Sequence, residues 1–214
     1  MRRIAALFIL AMLLAGCAQD GGVRKADGAP AATPAAPAAA APTPAAPAPA
    51  ASDAPADAFW KDGSGRAVPD LPNRKSAGGF GSWLLVTPDA DWKQKWEKPS
   101  GAGPSFREAS VVKRGQKVFV MIVLGNPALR DGQADVGCAV EVLKPDGQAA
   151  LRQNDIACLR GAVSGGPRSL YLATPVLGFQ GQKGDPTGVW TVRTLVRDKI
   201  RGAQLLLATQ FTLQ

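Results

Sequence analysis

Trp92 and Trp96 stand four residues apart, with Lys93 and Lys95 between them, in the stretch DWKQKWEK. On a helix that spacing puts both indoles on one face. There they could stack on sugar rings or anchor a partner beside the two ammonium groups, or they could pin the helix to the rest of the molecule. Asp89 and Asp91 are close in sequence, and Asp185 precedes a proline. Each also stands where a helix start or a turn favours aspartate, so no catalytic role is expected of them. The chain has no histidine, which removes Ser-His-Asp and Cys-His catalysis. Its 24 glycines form no G-x-S-x-G elbow, P-loop or G-x-G-x-x-G turn. A Ser–Lys dyad or a carboxylate pair is what remains of catalytic chemistry. No enzyme activity, metal or cofactor is expected.

The third kind of chemistry belongs to Cys17. Arg2 and Arg3 precede an apolar run from Ile4 to Leu14, followed by the small residues Ala15 and Gly16 and then the cysteine. The run has signal-peptide length and is shorter than the roughly 20 residues that a stable membrane-spanning helix needs. Leu14-Ala15-Gly16-Cys17 resembles the lipobox of bacterial lipoproteins. The resemblance implies a diacylglyceryl group on the Cys17 thiol, cleavage after residue 16 and acylation of the new amino terminus. Two or three acyl chains hold a protein on a membrane where one would not. Ala18, where an aspartate would favour the inner membrane, leans towards the outer membrane. The expected location is the bacterial cell envelope, lipid-anchored in the outer membrane and facing the periplasm.

With Cys17 committed to lipid, Cys138 and Cys158 are an even pair in an oxidising compartment, which predicts a disulfide. A simple hairpin centred on Asp146 puts Cys138 opposite about Asn154. The bridge therefore needs a bulge, or ties a strand to the segment after its partner. A redox or zinc site is disfavoured by the absence of CxxC spacing and of histidine.

These groups are carried by three segments: a signal peptide over 1–16, a lipidated cysteine with a linker over 17–57, and one domain over 58–214. Residues 29–57 are almost entirely alanine and proline. Such a stretch lacks the apolar surface for a core and favours extended polyproline II. At about 3.1 Å per residue it reaches on the order of 90 Å, a spacer long enough to lift a domain off a lipid surface. All five tryptophans lie beyond it, and residues 58–214 hold 21 Lys and Arg against 13 Asp and Glu. The net positive charge of the chain therefore belongs to the domain.

Within the domain the pattern is mostly strand. VFVMIVL (Val118 to Leu124) suits a buried strand. Val136, Cys138, Val140 and Val142 share one face, and Pro145-Asp146-Gly147 supplies a turn. Trp190, Val192 and Val196 face one way, and Arg193 and Arg197 the other. Leu205, Leu207, Phe211 and Leu213 follow at period two, with Arg201-Gly202 as a hairpin connection. One helix is expected over Pro88 to Lys98, capped by Thr87 and stopped by Pro99. The closing pair, DPTGVWTVRTLVRD and GAQLLLATQFTLQ, resembles the last strands of immunoglobulin-like domains of bacterial envelope proteins, and VKRGQKVFVMIVLGNP resembles an early one. The implied fold is mainly β: an immunoglobulin-like antiparallel β-sandwich with one short helix. Cys138 and Cys158 depart from the antibody pattern, because the usual inter-sheet bridge joins strands further apart in sequence.

Three functions fit these features. The first is a non-enzymatic envelope lipoprotein whose sandwich binds an envelope protein or an anionic cell-wall polymer, or supports an assembly. The second is a periplasmic enzyme inhibitor or immunity-type lipoprotein. The third and least supported is a cell-wall hydrolase. Export takes the protein away from nucleic acid, so its net positive charge suits anionic envelope partners instead.

Overall fold

The computed structural model describes residues 57–99 and 103–214. Cys17, the signal-peptide expectation and nearly all of the Ala/Pro segment lie outside the described residues. Ten strands, numbered in chain order, form two sheets. In the first, β1 (Arg74–Ala77) pairs with β2 (Phe80–Thr87), and β2 with β4 (Lys117–Gly125). The other edge of β4 takes two short strands in succession, β8 (Leu177–Gln180) along Lys117 to Val120 and β7 (Leu170–Leu172) along Val123 to Gly125. The second sheet runs β3 (Val111–Val112), β10 (Ala203–Leu213), β9 (Gly188–Asp198), β5 (Gln133–Leu143) and β6 (Ala149–Ala162). Only the short β3–β10 pair is parallel. No helix among the described residues is long and apolar enough to cross a membrane.

The sequence pattern of each strand reflects how many of its faces are covered. Val118, Val120, Ile122 and Leu124 of β4 face the second sheet and join Leu84, Val140, Trp190 and Phe211 in one shared core. The alternate residues Met121 and Val123 are also buried, in a second cluster with Leu85 on the far side of the first sheet. Two covered faces give a continuous apolar run. In β5, β9 and β10 the inward residues Val136, Cys138, Val140, Val142, Trp190, Val192, Val196, Leu205, Leu207, Phe211 and Leu213 are buried, whereas the outward positions are mostly half-buried or exposed. Period-two alternation marks a sheet with one open face.

The β9–β10 hairpin is continuous from Asp198↔Ala203 to Gly188↔Leu213. Its connection turns at Gly202, whose φ of +78° lies in the left-handed region. The buried Asp198 carboxylate organises this turn by accepting from the N–H groups of Ile200 (3.1 Å), Arg201 (2.9 Å) and, across a gap in sequence, Ala128 (2.7 Å). The Arg201 guanidinium donates to the carbonyls of Gly78 (2.6 Å) and Asn126 (3.0 Å), tying the hairpin to the turns of the other sheet.

Cys138 and Cys158 are bonded, with S–S 2.05 Å and Cα–Cα 5.8 Å. A simple hairpin would keep them apart, and three one-residue shifts between β5 and β6 alter that register. Near the turn Leu143 opposes Ala149. After two shifts Cys138 opposes Ile156, and a third falls between Ala157 and Leu159, leaving Cys158 as the extra residue. A bulge bends its strand and re-aims one side chain. Here it turns Cys158 into the core, where it is 2% exposed on a strand otherwise largely open to solvent.

The helix, α1 (Trp92–Glu97), is shorter than the expected Pro88–Lys98. Thr87 caps no helix: its Oγ1 accepts from the N–H of Asp89 (3.1 Å), closing a local turn. The Asp89 side chain points inward to two cations, its carbonyl accepts from the Trp92 N–H (3.2 Å), and the helix begins after Asp91.

The described domain opens with a strap that clasps the first sheet. The Phe59 N–H donates to Ser76 Oγ (3.1 Å), and the Trp60 indole donates to the Lys75 carbonyl (3.0 Å). The Phe59 ring lies on Gly81 and Gly125, directly paired across β2 and β4, and fills the space that a Cβ on either would need. Glycine is required there for close approach of the ring.

Candidate functional site

The tryptophan helix lies on the far side of the first sheet. Trp92 and Trp96 are both half-buried and pack on the cluster of Leu85, Met121 and Val123. The Trp92 ring meets Phe119 at 5.9 Å between centroids, and Lys117 covers the Phe119 ring at 5.2 Å. Lys93 is exposed, 3.8 Å from Glu97 one turn on. Lys95 is drawn the other way, to Asp89 at 2.7 Å and Asp91 at 3.4 Å. The four residues singled out by spacing therefore divide: two indoles rest on the sheet, one lysine faces solvent and one is a strut.

Asp89 is 1% exposed and is the electrostatic centre of this region. It accepts from Lys95 Nζ (2.7 Å), Arg107 Nε (2.8 Å) and the Arg107 backbone N–H (3.1 Å). Burial alone would raise its carboxyl, but the hydrogen bonds from Lys95 and Arg107 outweigh that and hold it at about 2. The same contact raises the Lys95 ammonium above its ordinary value. A carboxylate held this low stays ionised at neutral pH, and its partners clip the excursion carrying α1 back onto the sheet. Asp185 likewise serves its loop, accepting from the Gln182 N–H (2.8 Å) through its carboxylate and from Arg114 (2.7 Å) through its carbonyl.

Among the described residues none covers the outer face of the second sheet in this way. A trough of about 600 Å³ lies on it, walled on one side by Pro72 and Lys75. Its floor is built in register. Ala139, Leu195 and Leu206 are direct neighbours across β5, β9 and β10, and they form an apolar row perpendicular to the strands. The rows on either side are Glu141–Arg193–Ala208 and Gly137–Arg197–Gln204. Leu206 is 61% exposed, the most exposed large apolar side chain among the described residues. The two carboxylates that β5 contributes to this face are already engaged: Glu141 with Arg152 at 2.6 Å, and Asp135 with Arg160 at 3.3 Å and Lys199 at 3.5 Å. Arg193 and Arg197 make no ion pair with any described residue.

Reading the strands by their inward residues finds Arg193 and Arg197 as an outward face but passes over Leu195 and Leu206. The signal is present in both strands. In RTLVR a leucine occupies an outward slot between two arginines, and in QLLLATQ three leucines run where alternation asks for a polar residue at 206.

No family model matches the chain, and no curated protein matches it in sequence. Solved structures give distant likenesses. An alkylpurine DNA glycosylase, AlkC, from Pseudomonas fluorescens, bound to DNA containing an abasic site analog, aligns at TM-score 0.33 and 17% identity, covering 61% of this chain and 29% of that one. A family 123 glycoside hydrolase from Clostridium perfringens aligns at TM-score 0.34 and 9% identity, covering 62% and 27%. A Niemann-Pick type C2 protein from Japanese carpenter ant aligns at TM-score 0.32 and 8% identity, covering 61% and 89%. The chain thus spans less than a third of the first two. Likeness at this level carries no argument about fold family, substrate or activity.

Proposed function

We propose that this protein is a non-enzymatic lipoprotein of the bacterial envelope. It is anchored through Cys17, reaches into the periplasm on its Ala/Pro spacer and binds an envelope component with an immunoglobulin-like sandwich. The observation that carries the binding role is the open outer face of the second sheet: an apolar row with a 61% exposed leucine between two arginines that no described carboxylate engages. Exposed apolar surface rimmed by polar groups marks interaction sites. The anchor rests on the lipobox resemblance of Leu14-Ala15-Gly16-Cys17, and the immunoglobulin-like assignment on the closing strand pair and the two-sheet architecture. The half-exposed edges of Trp92 and Trp96, with Lys93, are a second contact area on the opposite side.

Two substitutions test the reading. Cys17→Ala should end incorporation of labelled palmitate and release the chain from the membrane fraction, and continued acyl-dependent retention would refute the anchor. Leu206→Asp should leave stability within about 0.5 kcal/mol, as surface changes usually do. It should also strip envelope material that co-isolates with the lipidated chain; unchanged co-isolation would refute the face.

A further inference from the structure

We propose that the outer face of the second sheet binds an extended acidic segment of an envelope protein, its acidic side chains at positions i and i+4 meeting Arg193 and Arg197 and an apolar side chain at i+2 resting on Leu195 and Leu206. This inference rests on the binding role just proposed for that face and names the chemistry of the partner.

The strand and its occupant have matched repeats. Arg193, Leu195 and Arg197 occupy successive outward positions of β9, so the arginine Cα atoms lie about 13 Å apart with the leucine midway. An extended peptide has the same repeat, about 6.6 Å for every two residues. Acid, apolar residue and acid at i, i+2 and i+4 of such a peptide fall on one side, in step with the three residues of β9. On a helix, i and i+4 are only about 6 Å apart along the axis, and one of the two arginines would go unmet.

Charge and shape select the same occupant. Guanidinium groups bind carboxylates through two parallel hydrogen bonds, which fixes direction as well as sign. With Glu141 engaged by Arg152 and Asp135 by Arg160 and Lys199, β5 offers the trough no free carboxylate, and Arg193, Arg197 and Lys75 line it as cations. Ala139 and Ala208 keep the floor low on either side of the leucines, leaving room for a backbone to lie down.

The test uses the full-length lipidated chain in mild detergent and short capped, fluorescently labelled peptides read by anisotropy. One peptide carries glutamates at i and i+4 with leucine at i+2; its isomer has the same composition with the glutamates adjacent. The spaced peptide should bind at least tenfold more tightly than the isomer, and Arg193→Ala and Arg197→Ala should each weaken it roughly tenfold with melting temperature unchanged. Equal affinity for the two peptides, or indifference to both arginine substitutions, would overturn the inference. So would displacement of the spaced peptide by phosphatidylglycerol vesicles that bind through the same arginines, since that assigns the face to a lipid surface. The spacing comparison needs no variant, so a poorly folding substitution cannot obscure it. If the peptides fail while Leu206→Asp still strips envelope material, the face keeps its binding role and the acidic-segment inference alone is lost.

Discussion

At Asp89, burial and charge pull in opposite directions and charge wins. Its carboxyl titrates near 2 in the folded protein against an ordinary 3.8. A depressed folded value means that the stabilisation is fully present above the ordinary value and is lost as pH falls towards the folded one. The melting temperature should therefore drop on acidification from just above 3.8 to about 2, and Asp89→Asn should make that limb shallower; an unchanged slope would contradict the assignment. At neutral pH the same substitution should cost about 1–3 kcal/mol, since buried hydrogen bonds lose their charged acceptor. The neighbouring tryptophans belong to the same scale. Full burial makes Trp→Ala cost 3–5 kcal/mol, and half-burial brings the expectation for Trp92→Ala and for Trp96→Ala to about 2 kcal/mol each, measurable by denaturant titration. A cost below about 0.5 kcal/mol for both would mean that these rings serve a partner and not the sheet.

Among the elements, β5–β6 and the Phe59 strap show where sequence is informative and where it is not. Cys158→Ser should cost about 2–5 kcal/mol, and mass spectrometry of the unreduced protein should find Cys138 linked to Cys158. Free thiols there would refute the bridge. The bond itself is legible as the pair of cysteines that remains once the lipobox resemblance assigns Cys17 to lipid. Its route is not, because β6 is an edge strand, mostly exposed, whose residues LRQNDIACLRGA show no period from which three register shifts could be read. The strands β4, β5, β9 and β10 are legible for the converse reason, since their buried faces impose a pattern. The helix is only partly so: Asp89 suits a helix start as well as a buried ion pair, and only the tertiary contact with Arg107 decides between them. Gly81 and Gly125 are likewise silent until Phe59 is seen to lie on them. Gly125→Ala should destabilise by about 1–3 kcal/mol through overpacking. In the background of Phe59→Ala the added cost should largely vanish, as coupled neighbours require; full additivity would mean that the ring does not rest there.

At the scale of the whole molecule, the fold divides labour between its two outer faces. Among the described residues α1 and Phe106 cover one, and none covers the other along β5, β9 and β10. Among the described residues Ala58 is buried and Phe59 is hydrogen-bonded to the first sheet, whereas 29–56 is almost entirely alanine and proline. Deleting 29–56 should therefore leave the melting temperature nearly unchanged, whereas extending the deletion through Trp60 should lower it; a large loss from the shorter deletion would mean that the spacer packs on the domain. The most direct test of the account places a photo-activatable amino acid at single positions of the full-length chain in living cells. Position 206 should give a discrete cross-linked adduct that disappears when Arg193 and Arg197 are both replaced by glutamate, while position 129, apolar and 44% exposed in the loop after β4, should give none. Adducts of equal yield at both positions, or an adduct at 206 indifferent to the arginines, would contradict the claim that this face is where the protein meets its partner.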